Sequence, residues 1–240
     1  NEVVSLKDGN DVFANNLPGG ASGGAFHIVR EGEPLASYYG FVEGELDENG
    51  DLTYRDLDGD DRVNNNDRTI LGDFFPDFIY GLNSNFSYKG IDVNIFFQGV
   101  QGVEVIRFDR FRSANSLTRG YNQLVEVTDF WTPENTDARY PRPRSGIRFR
   151  GSDSYVEDAS YLRLRNVQIG YNFPLSDMGV SWLRKLKIYA SAQNLLTFTD
   201  YTGYDPEINT QGGGSDLRLG LDLSGYPSAR TYTFGINLGF

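Results

Sequence analysis

The chain has 240 residues, and its 33 acidic against 22 basic side chains give a formal net charge of −11. That balance argues against a nucleic-acid binder. Cysteine is absent, which removes any disulfide framework, thiolate metal site or cysteine nucleophile. No apolar run reaches the roughly 18 residues of a transmembrane helix, no signal peptide stands at Asn1, and the chain does not begin with Met, so it reads as a mature or internal fragment.

Short alternating runs, rich in aromatics and glycine, predict an all-β chain. In chain order, a stub at Val3–Leu6 is followed by a Gly-rich connection, 7–24. Its Gly19–Gly24 stretch lacks the Lys-Ser/Thr of a phosphate loop and reads as a flexible loop. Weaker runs cover Phe26–Arg30 and Ser37–Val42, joined by the short Glu31–Pro34. The lone histidine, His27, is expected to pack or line a pore rather than to catalyse. Phe78, Tyr80, Leu82, Phe86 and Tyr88 alternate with Gly81, Asn83, Asn85 and Ser87, and Ile91, Val93, Ile95 and Phe97 follow after the tight turn Tyr88-Lys-Gly90. Further runs are Tyr161–Phe173, Leu186–Gln193 and Thr231–Phe240. The last has Tyr232, Phe234, Ile236, Leu238 and Phe240 on one face and Thr233, Gly235 and Asn237 on the other.

About eight strands, all antiparallel, are therefore expected, with connections of two lengths. Residues 43–77, 101–160 and 195–230 are long; Lys89-Gly90 and 174–182 are short. Long structureless loops are uncommon in compact soluble domains. Short turns at one rim and long loops at the other are the habit of an outer-membrane barrel, with the long loops outside. The fold class expected is an antiparallel transmembrane β-barrel wedge, part of a wider barrel.

The most chemical stretch is Asp56–Asp67. Calcium takes six to eight hard oxygens, which a 12-residue loop supplies at positions 1, 3, 5, 7, 9 and 12. Here those are Asp56, Asp58, Asp60, the carbonyl of Arg62, Asn64 and Asp67. Position 6 is Asp61 rather than Gly, and the last ligand is Asp rather than the longer Glu. A structural Ca2+ is expected, weighed against a solvated Asx-rich loop. Two basic clusters stand out: Arg107, Arg110 and Arg112, interleaved with Phe108 and Phe111, and Arg142, Arg144, Arg148 and Arg150. They read as contacts to a ligand, anionic surface lipid or partner protein, or as ion pairs with acidic loops, the latter favoured. Tyr38, Tyr39, Tyr121, Tyr140, Tyr201 and Tyr204 read first as anchoring or loop-packing aromatics, with Tyr204 kept as a ligand candidate. No carboxylate pair or triad singles out catalysis.

Many motifs in order resemble the C-terminal part of the SusC/RagA family of TonB-dependent outer-membrane transporters of Bacteroidetes. They include Tyr39-Gly-Phe-Val-Glu-Gly44, Tyr54-Arg-Asp-Leu-Asp-Gly-Asp60, Tyr80-Gly-Leu-Asn83, Phe96-Phe-Gln-Gly99, Phe130-Trp-Thr-Pro133, Glu157-Asp-Ala-Ser-Tyr-Leu-Arg-Leu-Arg-Asn166, Gln193-Asn-Leu195, Gly203-Tyr-Asp-Pro-Glu207 and Thr233-Phe-Gly-Ile-Asn237. The resemblance implies a 22-stranded barrel in the outer membrane with an N-terminal plug, TonB-energised import of glycans, oligosaccharides or peptides, and a SusD-like surface lipoprotein as cap. It makes residues 1–240 the closing portion of that barrel, with the plug and earlier strands in the rest of the transporter. It also implies that Phe234, Ile236, Leu238 and Phe240 act as an assembly signal. The competing readings are a secreted, calcium-stabilised carbohydrate-binding β-sandwich and a β-rich hydrolase. The sandwich does not explain the alternation of short and long connections or the terminal Phe240, and the hydrolase lacks a convincing constellation.

Overall fold

A computed structural model describes residues 1–16, 25–108, 110, 122–144, 150–208, 217 and 219–240, and the chain divides into two compact units. The first unit comprises Asn1–Phe75, Val103–Asp158 and Glu207–Gly225; the second comprises Pro76–Gly102, Ala159–Pro206 and Tyr226–Phe240. Strands of the first unit are β1 (Val12–Asn16), β2 (Ala25–Val29), β3 (Ser37–Phe41), β4 (Glu43–Leu46), β5 (Leu52–Tyr54), β6 (Arg68–Gly72), β9 (Glu104–Arg107), β10 (Val156–Asp158) and β13 (Leu221–Asp222). Those of the second are β7 (Phe78–Tyr88), β8 (Ile91–Gln101), β11 (Tyr161–Asn172), β12 (Lys185–Thr199) and β14 (Thr231–Gly239).

The second unit is one antiparallel sheet in the order β14-β12-β11-β8-β7. Its strands run 9 to 15 residues, against the roughly 9–11 that cross a bilayer when tilted. Register turns the alternation of each strand into a property of the whole sheet. Tyr88, Ile91, Tyr171, Ile188 and Ile236 form one cross-strand row, and Phe86, Val93, Ile169, Ala190 and Phe234 another. On the opposite face lies the row Asn85, Asn94, Gln168, Ser191 and Thr233. The amides there bond laterally: Asn94 Nδ2 donates to Asn83 and Asn85, and Asn166 Nδ2 to Asn94 Oδ1, at 2.7–2.9 Å. The apolar face is bare, with Phe234 at 83% exposure and Phe86 at 62%. An apolar surface this continuous calls for an apolar neighbour.

Local devices keep the two faces consistent. Lys89 and Gly90 both have positive φ, as a two-residue hairpin turn with the twist of its strands requires. A bulge at Arg165 shifts the register of β11 between Leu164 and Asn166. It leaves Leu164 on the apolar face opposite Phe97 and lets Arg165 donate from Nε to Gln98 Oε1 at 2.8 Å. Gly235 faces Tyr189 across the ladder, and the tyrosine ring fills the space a Cβ would need.

The sheet has two distinct ends. At one, Phe78 pairs with Gln101, Tyr161 with Val100 and Thr199, and Thr231 with Gln193. All the connections running into the first unit attach there. The Lys89-Gly90 turn, the 173–184 connection and Phe240 lie at the other end, where Trp182 and Phe240 stack at 6.2 Å. The expected alternation of short and long connections is present. Strands β7 and β14 are the outer strands of the sheet, so each has a neighbour on one side only among the described residues.

The first unit corrects the expected strand count. Five strands, not about eight, form the long sheet. Ala25–Val29 and Ser37–Phe41 are strands, but they lie in a separate four-stranded sheet, β1-β2-β3-β6. All five residues of β3 are buried, so that strand is covered on both faces and has none to offer lipid. Val3–Leu6 is no strand; the chain there meets the 31–34 turn through the Val3–Glu33 and Gly32–Val3 backbone bonds and through Leu6 N, which donates to Glu31 Oε1 at 2.6 Å. The long connections contain β4 to β6, β9, β10 and β13, and β13 pairs with β9 in parallel, against the all-antiparallel expectation. Phe26, Tyr38, Ile106, Phe108, Tyr155 and Leu221 make the core of this unit. His27 is buried beside it, its Nε2 3.0 Å from the Leu219 carbonyl, in keeping with a packing role. Gly19–Gly24 lies outside the described residues.

Candidate functional site

The acidic loop joins β5 to β6. Asp56 accepts from the Gly59 and Asp61 amides through its two oxygens, both at 2.7 Å. Asp58 accepts from Asp60 N at 3.2 Å and Asp60 from Arg62 N at 2.9 Å. These bonds wind the loop so that carboxylate oxygens of Asp56, Asp58 and Asp60 lie within 4.8 Å of one another. Asp61 takes the left-handed conformation, φ 59°, that position 6 requires. Asp tolerates that conformation better than most residues.

Asp67 is placed differently from the other three carboxylates. It is fully buried, with Oδ1 accepting from Leu57 N at 2.7 Å and Oδ2 from Asn64 N at 2.7 Å. Those amides, Asn64 foremost, hold its carboxyl below the usual carboxylate range. Asn64 caps the short turn that follows, accepting from Asn66 N at 2.9 Å, and its Nδ2 lies 3.3 Å from the Arg62 carbonyl. The loop thus gathers three carboxylates of the six expected ligand groups, while Asp67 and Asn64 fix the backbone around them. Three carboxylates this close repel unless a cation or water intervenes, so hard-oxygen chemistry suits the position.

The arginine clusters are largely ion-paired. Arg107 is buried, and both it and Arg110 reach Glu157 Oε1 at 3.4 Å; Arg110 also lies 3.3 Å from the Tyr140 hydroxyl. Arg142 and Arg144 approach Asp51 at 4.0 and 2.9 Å with their side chains about half exposed. Arg112, Arg148, Phe111 and Tyr121 lie outside the described residues. Tyr38, Tyr39, Tyr140 and Tyr201 are buried, which makes them packing residues, whereas Tyr204 is 71% exposed. Phe234, Ile236, Leu238 and Phe240 all stand exposed on the apolar side.

One constellation escapes sequence reasoning. Arg163 on β11 is almost fully buried and bonds to Asp205 Oδ1 at 2.5 Å, Thr197 Oγ1 at 2.9 Å and Ser228 Oγ at 3.3 Å. Asp205 Oδ2 accepts from Ser228 N at 2.8 Å. Both ends of the 200–230 connection are thereby pinned to β11. The only trace in the sequence is a charged residue between Leu162 and Leu164.

No family model matches the chain. The TonB-dependent receptor P3 of Formosa agariphila is 37% identical over 260 residues, an overlap covering 100% of this chain and 26% of that protein. The chain belongs to the TonB-dependent receptors of the SusC/RagA type. TonB-dependent receptor SusC of Bacteroides thetaiotaomicron is 26% identical over 255 residues, covering 100% of the chain and 23% of SusC. Among solved structures, the RagAB peptide importer in its open-open state superposes with a TM-score of 0.76 at 25% identity, covering 100% of this chain and 25% of that one. The chain therefore spans about a quarter of the length of these relatives. TonB-dependent receptors reside in the outer membrane and are transporters rather than enzymes. Membership sets aside the soluble sandwich and the hydrolase.

Proposed function

We propose that the chain is the C-terminal barrel portion of an active importer that takes up nutrients, glycans, oligosaccharides or peptides, together with a SusD-like surface lipoprotein. The observation that carries this reading is the five-stranded sheet with one bare apolar face, one amide-lined face and, among the described residues, an unpaired edge on each side. In hydrocarbon an unpaired strand edge leaves N–H and C=O groups that cost several kcal/mol each. The earlier strands of the same transporter would pair with β7 and β14. The apolar face would meet outer-membrane lipid and the amide face the lumen, against the plug. TonB would act through the part of the transporter outside this chain. RagAB is named a peptide importer; the amide rows suit peptide bonds and sugar hydroxyls alike.

Orientation supplies the test. Single cysteines replacing Tyr204 and Lys89, at opposite ends of the sheet, are probed with a membrane-impermeant maleimide on intact cells. Tyr204→Cys should label and Lys89→Cys should not. Labelling of Lys89→Cys from outside would overturn the orientation and the import reading with it.

We further propose that Asp56, Asp58 and Asp60, with the carbonyl of Arg62, Asn64 and Asp67 completing the loop, hold a structural Ca2+ that stiffens the β5–β6 connection. At a calcium concentration one hundred times Kd, binding would stabilise the loop by about 2.7 kcal/mol. Chelation should therefore open the 55–67 segment to protease in the purified transporter, and Asp58→Asn with Asp60→Asn should make calcium without effect. Acid should act in two ways. Metal affinity falls as ligand carboxylates protonate. Asp67 stabilises the loop fully above the ordinary aspartate range, about pH 3.9, and loses that contribution as pH falls through its depressed value. A high-resolution map with the loop ordered and no density between the three carboxylates would sink the calcium reading.

A further inference from the structure

Half-buried arginines in the first unit are, with two exceptions, matched to carboxylates. Arg30 bonds Asp11 at 2.8 Å, Arg107 and Arg110 share Glu157, and Arg142 approaches Asp51. Arg68 and Arg150 are also half-buried, yet neither has a carboxylate within ion-pair distance among the described residues. In a chain with 33 acidic side chains, that is a departure from the local habit. Arg55 and Arg62 also lack a carboxylate partner among the described residues, but they are exposed.

The two exceptions share one platform. Arg68 opens β6 opposite Phe41 on β3, and Arg150 immediately precedes Gly151, whose carbonyl accepts from Phe41 N at 2.9 Å. The Arg68 guanidinium carbon lies 5.9 Å from the Phe41 ring centroid and 4.4 Å from that of Tyr39. That of Arg150 lies 4.6 Å from the Phe41 centroid and 5.4 Å from that of Tyr54. The rings favour the cations from their faces. They do not neutralise them, and burial pushes the Arg68 guanidinium down from its usual value. Arg68 spends one terminal nitrogen on the carbonyls of Ala25 and Tyr39, and its Nε is buried without an acceptor. Arg150 gives NH1 to the Val63 carbonyl at 3.3 Å. An orphaned buried donor on an uncompensated cation marks a place where a group is missing.

We propose that Arg68 and Arg150, stacked on Phe41, form an oxyanion subsite that takes a carboxylate, sulfate or phosphate group. Guanidinium is suited to it, because its planar fork meets two oxygens at once and it stacks on aromatic faces while doing so. Glu43, which like Arg150 lies beside Tyr54, has Oε1 occupied by the hydroxyls of Ser152 and Ser154, each at 2.6 Å, and so is turned to other partners. The oxyanion has two natural sources: the phosphate of a lipid headgroup, or an acidic solute. This subsite does not depend on which nutrient is imported.

The experiment uses the complete transporter purified in detergent. Sodium sulfate is titrated against sodium chloride at constant ionic strength, and anion binding is followed by calorimetry. Wild-type protein should bind sulfate saturably, and Arg150→Gln should weaken binding at least tenfold. Arg55→Gln, an exposed arginine of the same unit, should leave it unchanged. Arg68→Lys, which keeps the charge and loses the fork, should weaken it as Arg150→Gln does; if it does not fold, the Arg150→Gln comparison decides alone. Phosphorus co-purifying with wild type but not with Arg150→Gln identifies the lipid source. Binding of glucuronate to delipidated protein, with the same dependence on Arg150, identifies the solute source. Sulfate behaving as chloride does, or an equal loss in Arg55→Gln, would overturn the subsite.

Discussion

Phe234→Arg is expected to deplete assembled barrel from the membrane, whereas Thr233→Arg, one residue away, leaves most of it. Phe234 sits at the middle of β14 in the row Phe86, Val93, Ile169 and Ala190, and is 83% exposed. An arginine on the lipid face near the bilayer midplane costs about 2–4 kcal/mol, and less toward the interfaces. The central row therefore gives the largest effect, ahead of Ile236 nearer the short-turn end. Thr233 pairs with Ser191 in the amide row, where an arginine meets neutral hydrogen-bonding groups. Asn237 would make a poorer control, since it pairs with Lys187 and a second cation there adds repulsion of its own. The measurement is the fraction of heat-modifiable barrel in outer-membrane fractions. Equal tolerance of Phe234→Arg and Thr233→Arg would mean that the apolar face does not meet lipid.

The sheet was legible because each of its strands carries its own signal. A period of two, repeated over 9 to 15 residues, needs no knowledge of neighbours. The Lys89-Gly90 turn announces itself locally as well. The first unit lacks such a signal for a physical reason. Its strands are five residues or fewer, and β3 is buried on both sides, so polarity does not alternate along it. The two-residue parallel pairing of β13 with β9 joins segments more than one hundred residues apart and leaves no local pattern. Of the acidic loop, the closely spaced carboxylates were readable, because side-chain identity sets them. That Asp67 turns its oxygens to the Leu57 and Asn64 amides was not, since it follows from backbone geometry. For the arginine clusters ion pairing with acidic loops was the favoured reading, but the partners, Glu157 and Asp51, were not readable, because the fold alone brings them together. Arg150 stood out only as one of a basic cluster and Arg68 not at all, because whether a cation has a carboxylate beside it is a property of the fold alone.

Asp205→Ala is expected to produce the second large loss, through a contact that spans 42 residues of sequence. The Arg163 side chain is 3% exposed and that of Asp205 12%. Removing one member of a buried ion pair strands the other charge and destabilises by about 3–5 kcal/mol, whereas replacing both by apolar groups of similar size is often far milder. Asp205 also accepts from Ser228 N, so its loss loosens the returning end of the 200–230 connection just before β14 begins. The order of stabilities should therefore be wild type, then Arg163→Met with Asp205→Leu, then Asp205→Ala, read as the temperature at which the barrel band converts to the unfolded band on a gel. Asp205→Asn should fall between wild type and Asp205→Ala, since an amide oxygen keeps one acceptor while the charge is lost. The discriminating comparison is the pair of single and double replacements. If Asp205→Ala converts at the wild-type temperature, or if the double replacement converts no higher than Asp205→Ala, then Arg163 and Asp205 do not act as a coupled pair, and the connection is held by its other contacts.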